Sequence, residues 1–144
     1  MRKYGILAMM LLMGAFSFGV SAQGGAVMEI NKAEFVQKVF DFEKEQEFKY
    51  KGDKPCILDF YASWCGPCKM LSPHLDDMAK EYKDKIYIYK INVDKNRDLA
   101  SAFGASSIPL VIFIPTEGSP AAARGYLPKE ELVNAIETVL KVKK

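Results

Sequence analysis

Histidine and tryptophan each occur once in the 144-residue chain, as His74 and Trp64, and cysteine occurs three times. These shortages exclude several chemistries. A cysteine–histidine hydrolase would have His74 as its only base. His74 lies in a helical pattern with Asp76, Asp77 and Lys80, the setting of a surface residue, and nothing places it against a cysteine. A structural zinc module needs four ligands in a tetrahedron, which would require Cys56, Cys65, Cys68 and His74 to converge. The chain also lacks an excess of either charge, with 20 basic and 18 acidic residues and a net charge of +2. That balance gives no reason to expect nucleic acid as a partner. No cysteine precedes Cys56, so a lipid-modified N-terminus is not expected. What remains is 49% hydrophobic and 26% charged, ordinary for one globular domain with a real core.

The N-terminus reads as a secretory signal. Arg2 and Lys3 form a short basic region, Tyr4 to Val20 hold no charge, and Val20-Ser21-Ala22 offers small residues for a signal peptidase. The alternative is a membrane anchor, but the apolar stretch is short against the ~20 residues of a spanning helix, and Gly14 and Gly19 interrupt it. The expected division is a leader over 1–22 and a domain over 23–144, periplasmic or secreted after cleavage. Removing the leader takes Arg2 and Lys3 and no acidic residue, leaving a formally neutral chain. Export places the remaining cysteines in an oxidising compartment.

Periodicity then predicts alternating elements. Val27 to Ile30 reads as a short edge strand. Asn31 and Glu34 form a capping box for a helix over about 32–42, with Phe35, Val36, Val39 and Phe40 on its apolar face. Residues 43–54 read either as a solvated helix extension and turn, or as a patch in which Phe48 and Tyr50 cover the core or a partner. Pro55 to Ala62 is apolar on both faces, as in a strand covered by helices on each side, with Asp59 as its one charged residue. A helix follows to about Lys83 with Pro73 inside it, then a strand over 86–94, a short helix over 95–103, and strands over 110–114 and 121–124. A closing helix carries Leu132, Val133, Ile136, Val139 and Leu140. This order implies an α/β mixed sheet with helices on both faces.

The chemistry concentrates at Ser63-Trp64-Cys65-Gly66-Pro67-Cys68-Lys69, where a strand ends and a helix begins. A helix start carries unpaired N–H groups and partial positive charge, which favours a thiolate, the reactive form of cysteine. Pro67 suits a first helical turn, and Gly66 removes bulk beside Cys65. Cys56 lies six strand steps, ~20 Å, before Ala62. Disulfide partners need Cα atoms within ~7 Å, so Cys56 reads as a small buried residue.

The heptapeptide closely resembles the active site of thioredoxin, and the resemblance extends over about 27–142. Lys90-Ile91-Asn92-Val93-Asp94, the strand-opening Ile108-Pro109, Pro73 and Gly125 match the family pattern. The resemblance implies a thioredoxin fold, with a central mixed five-stranded sheet and helices on both faces. It also implies a protein-disulfide reductase with Cys65 and Cys68 as its redox-active disulfide. Cys65 would attack, Cys68 would resolve, and Asp59 would be a buried acid moving the proton of Cys68, tuned by Lys90. Trp64, Gly66, Pro67, Ile108, Pro109 and Gly125 would shape the docking surface, with Pro109 cis. No metal or organic cofactor is implied. The expected partners are disulfide-containing client proteins and an upstream thiol electron donor, a membrane-bound one included, acting on a monomer. A disulfide oxidase or isomerase on the same fold is the alternative.

If the leader is cleaved after Ala22, the exported protein begins at Gln23. Intact-mass measurement on secreted material should give the 23–144 mass, and a mass that includes Met1 would refute cleavage.

Overall fold

A computed structural model describes residues 24–144; the leader expected over 1–22 lies outside them. Five strands form one mixed sheet in the order β1-β3-β2-β4-β5. They are β1 (Val27–Glu29), β2 (Cys56–Tyr61), β3 (Tyr87–Asn92), β4 (Leu110–Ile114) and β5 (Ala121–Arg124). β1 and β2 run parallel to β3, whereas β4 runs antiparallel to both β2 and β5. The helices are α1 (Lys32–Lys38), α2 (Gly66–Glu81), α3 (Arg97–Ala102) and α4 (Lys129–Thr138).

Side-chain alternation along the central strands sorts the core into two layers. Leu58 and Phe60 of β2, Tyr89 and Ile91 of β3, and Leu110 and Ile112 of β4 pack with Phe35 of α1 and Leu99 of α3. On the other face, Ile57, Ile88, Val111 and Phe113 pack with Leu71, Leu75 and Met78 of α2 and Leu132 and Ile136 of α4. The mixed sheet with helices on both faces is thus as the sequence pattern predicts. The same alternation puts Cys56 on the α1/α3 face and Asp59 on the α2/α4 face.

α1 starts as its sequence predicts. The Asn31 side chain accepts the Glu34 N–H at 2.9 Å, and the Glu34 carboxylate accepts the Asn31 N–H at 2.9 Å. The helix ends at Lys38, four residues before the expected Phe42. Residues two apart on a helix point roughly 200° apart. Phe40 is buried in the α1/α3 layer and Phe42 packs against that same layer, edge-on to Phe35 and Phe103. Both can reach one core only if the helix stops.

Residues 43–54 are therefore turns and irregular chain, not a helix extension. The Phe48 ring lies 4.9 Å from that of Phe40, and Tyr50 packs on the α1/α3 core while its hydroxyl donates to the Lys54 carbonyl at 2.5 Å. The Lys51 N–H donates to the Val39 carbonyl at 2.9 Å, closing the segment over the end of α1. Tyr50 thus covers the core, whereas Phe48 lies against Phe40 and remains exposed.

Cys56 is fully buried as a free thiol. Burial pushes it up to about 12, partly opposed by the Tyr50 hydroxyl. Cys56→Ala should leave disulfide reduction within about twofold of wild type and cost about 1–2 kcal/mol of stability from the lost buried volume. Activity and urea unfolding on one preparation check both, and a large loss of turnover in a folded protein would contradict the packing role.

Candidate active site

β2 ends at Tyr61, and the chain crosses Ala62, Ser63 and Trp64 before α2 begins at Gly66. The Cys65 N–H donates to the Ala62 carbonyl at 3.2 Å, which makes the turn tight. Cys65 is the N-cap of α2, a position usually filled by a side-chain oxygen that accepts an early helical N–H. Here the Cys65 Sγ does so, 3.3 Å from the Cys68 nitrogen. Gly66 and Pro67 form the first turn, where Pro67 has no N–H to leave unpaired. That turn contains no acidic residue, so nothing offsets the positive end of the helix. A charge placed there is stabilised by up to about 2 kcal/mol.

Cys65 and Cys68 form a disulfide, with Cα atoms 5.3 Å apart. The two are equally buried, at 5% and 4% exposed, so exposure does not distinguish them. Backbone position separates them instead. Cys65 caps the helix, while Cys68 heads the stripe Cys68, Leu71, Leu75, Met78 and Ala79 that α2 buries. Residues three and four apart share a helix face, so this stripe meets the sheet face that carries Ile57 and Asp59.

Asp59 is buried, and its Oδ1 has no hydrogen-bond partner. Burial raises its carboxyl to about 6, and the positive charge of Lys90 opposes that rise. Lys90 stands beside Asp59 in β3 but also beside Glu29 of β1, and its ammonium lies 4.1 Å from the centre of the Tyr61 ring. The ammonium thus lies over an aromatic ring and forms no ion pair with Asp59, which is why it offsets the burial of Asp59 only in part. The structure supports Lys90 as a modulator of Asp59. Glu29, which the sequence reading passed over, stands opposite that lysine in the neighbouring strand.

The remaining predicted residues gather at the same end of the sheet. The Ile108–Pro109 peptide is cis, and the Ile108 carbonyl oxygen lies 3.9 Å from the Cys65 Sγ. The Gly125 N–H donates to the Pro109 carbonyl at 2.8 Å, with Gly125 at a φ of +87°, a conformation that favours glycine. Arg124 donates to the carbonyls of Gly104 and Ser107 at 3.0 and 3.4 Å, fastening the loop that leads into Ile108. Trp64 is exposed, and its indole N–H donates to the Asp94 carboxylate at 2.8 Å. Asp94 is itself held by the buried Asn92, whose side chain accepts the Asp94 and Lys95 N–H groups at 2.9 and 3.3 Å. The sequence reading did not assign Asp94 a role, because its partner is 30 residues away. His74 is half-buried, and its ring nitrogen lies 2.8 Å from the Tyr126 hydroxyl rather than against a cysteine sulfur. Among the described residues, no three His, Cys, Asp or Glu side chains converge as a metal site would require.

The thioredoxin family model matches residues 26–138. The chain belongs to the thioredoxin family. It is 43% identical to a thioredoxin of Borreliella burgdorferi over 76% of this chain and 94% of that protein. It is 41% identical to a thioredoxin of Haemophilus influenzae over the same shares. The solved structure of chloroplastic thioredoxin z superposes with a TM-score of 0.69 at 24% identity, over 81% of this chain and 96% of that one, a likeness of fold. As a thioredoxin, the protein is a thiol–disulfide oxidoreductase that reduces protein disulfides, and the Cys65–Cys68 disulfide is the redox-type pair that this activity needs.

The carboxyl of Asp59 makes stability depend on pH with a definite sign. Between its ordinary value of 3.8 and about 6 the folded chain keeps a proton that the unfolded chain has lost. Stability therefore falls as pH rises through that window, and the full penalty persists above it. Two pH units correspond to at most about 3 kcal/mol. Asp59→Asn cannot ionise, so it should be more stable than wild type by about 1–3 kcal/mol at pH 8 and nearly equal at pH 4. Urea unfolding of the oxidised proteins at both values checks this, and a difference that does not change with pH would rule out the buried charge as its cause.

Proposed function

We propose that the protein is an exported thioredoxin that reduces or reshuffles client disulfides through its Cys65-Gly66-Pro67-Cys68 pair. The observation that carries the mechanism is the placement of Cys65 at the start of α2, with its sulfur accepting the Cys68 N–H. With both cysteines reduced, the Cys65 thiolate attacks one sulfur of a client disulfide. A mixed disulfide forms, and the client's other sulfur leaves as a thiolate. Asp59 takes the proton from the Cys68 thiol. The Cys68 thiolate then attacks the Cys65 Sγ and expels the second client thiol. Two electrons have passed to the client, and the Cys65–Cys68 disulfide remains. Trp64, Gly66, Pro67, Ile108, Pro109 and Gly125 form the surface on which the client chain lies, with the Ile108 carbonyl beside the attacking sulfur.

Export rests on the leader-like features of residues 1–22, from Arg2 and Lys3 to Val20-Ser21-Ala22. Outside the cytoplasm the pair needs an upstream dithiol to return it to the reduced state. The reducing direction rests on the dipeptide between the cysteines, since Gly66-Pro67 adds no cation beside Cys65. Thioredoxin sits at about −270 mV and the strongly oxidising periplasmic enzyme at about −120 mV. That gap is about 7 kcal/mol for two electrons, more than a change of compartment supplies.

Cys65→Ser should abolish reduction of a protein disulfide, whereas Cys68→Ser should accumulate a mixed disulfide with the client, visible on a non-reducing gel. Trapping by Cys65→Ser instead would exchange the two roles. Equilibration of wild type in glutathione buffers should place the pair nearer −270 than −120 mV; a value near −120 mV would make the protein an oxidase.

A further inference from the structure

The described residues expose four large hydrophobic side chains, and three of them lie on segments that adjoin the active-site loops: Trp64 at 69% precedes Cys65, Met70 at 62% is on α2, and Tyr126 at 40% follows Gly125. Single exposed apolar residues are ordinary, but a group of them beside a reactive centre marks an interaction surface. Their arrangement follows from the sheet order. Cys65 continues from the central β2. Trp64 is tied by its indole N–H to Asp94, just past the end of β3 on one side of β2. Tyr126 follows β5, on the other side of β2 beyond β4. Two aromatic residues therefore flank the cysteine pair, roughly three strand spacings or ~14 Å apart, a span that a client segment of four or five extended residues would cover.

Each aromatic side chain has its polar tip fastened to a residue remote in sequence. For Tyr126 the fastener is His74, whose Nε2 lies 2.8 Å from the hydroxyl, a hydrogen bond in which either group can donate. The two rings also meet at 5.7 Å between centres. His74 and Met70 are four apart on α2 and share a face. On its other side Tyr126 adjoins Gly125, whose N–H holds the Pro109 carbonyl. The tyrosine is thus anchored to α2 and to the loop beside Cys65 while its ring remains open to solvent. A ring fixed in this way presents apolar area at little further cost in side-chain entropy on binding.

We propose that Tyr126, held by His74, is a specificity-determining residue that receives an apolar side chain of the client segment beside the disulfide under reduction. Trp64 serves the opposite flank, and Met70 adapts to the shape of what lies over Tyr126. His74 is a positioning residue and does not touch the reacting sulfurs. The inference rests on the reductase mechanism proposed above and adds to it the kind of client segment preferred, an extended one with an apolar residue near its cysteine.

The test compares second-order rate constants of the pre-reduced protein, followed by the fluorescence of its one tryptophan, with three oxidants. Two are cyclic disulfide peptides identical except for leucine or serine next to one cysteine, and the third is hydroxyethyl disulfide. Wild type should favour the leucine peptide. Tyr126→Ala should lower the leucine-to-serine ratio about tenfold, the scale of losing one aromatic anchor, while hydroxyethyl disulfide and the glutathione redox potential change little. Tyr126→Phe keeps the ring but loses its hydrogen bond and should lower the ratio about threefold. His74→Ala should do the same, and should add nothing in the Tyr126→Phe background, because both changes remove one coupled contact. An unchanged ratio in Tyr126→Ala, or an equal loss with all three oxidants, would overturn the proposal. Inertness of wild type toward all three would refute the reductase mechanism itself, and the inference with it.

Discussion

The structure depends on the burial of β2 on every side. β2 is bonded to β3 on one edge and β4 on the other, and both of its faces are covered by helices. A strand so enclosed has little freedom of register, because a slip of one residue would exchange its two faces. The C-terminal end of β2 therefore emerges at a fixed point, and the three residues after it must deliver the chain to the start of α2. Cys65 occupies that delivery point. Its rigidity comes from hydrophobic packing of the strand behind it.

The same enclosure sets the electrostatics. A carboxyl inside β2 cannot reach water, and the Lys90 ammonium beside it lies over the Tyr61 ring without forming an ion pair with Asp59. The fold thus keeps an acid with an elevated proton affinity on the face that α2 covers, and the buried stripe of α2 begins with Cys68. The cost in stability and the raised proton affinity are one physical fact. The two cysteines are equally hidden in the disulfide form, so their inequality arises from helix geometry, one sulfur at the cap and the other on the packed stripe.

Elements governed by contacts three or four residues apart were legible before any coordinates. The capping box of Asn31 and Glu34, the apolar stripe of α2, the two-sided hydrophobicity of β2 and the cysteine motif at a helix start are all local patterns, and the structure reproduces them. The isolation of Cys56 also followed from strand length alone, although the structure adds that its side chain faces the opposite layer from α2. Local propensity would carry α1 through Phe42. The shared demand of Phe40 and Phe42 for the same core cuts it short, with Tyr50 closing over the gap.

Spacing along the chain was enough to order the elements, to find the apolar faces of the helices and to place a cysteine pair at a helix start. Only the tertiary structure decided which distant groups complete the site. Asp94 holds Trp64 across 30 residues, Ile108 meets Cys65 across 43, and His74 holds Tyr126 across 52. These pairings join residues on different elements, and no periodicity encodes them. They arise because the sheet order brings the end of β3, the start of β4 and the exit of β5 to the same edge as the start of α2.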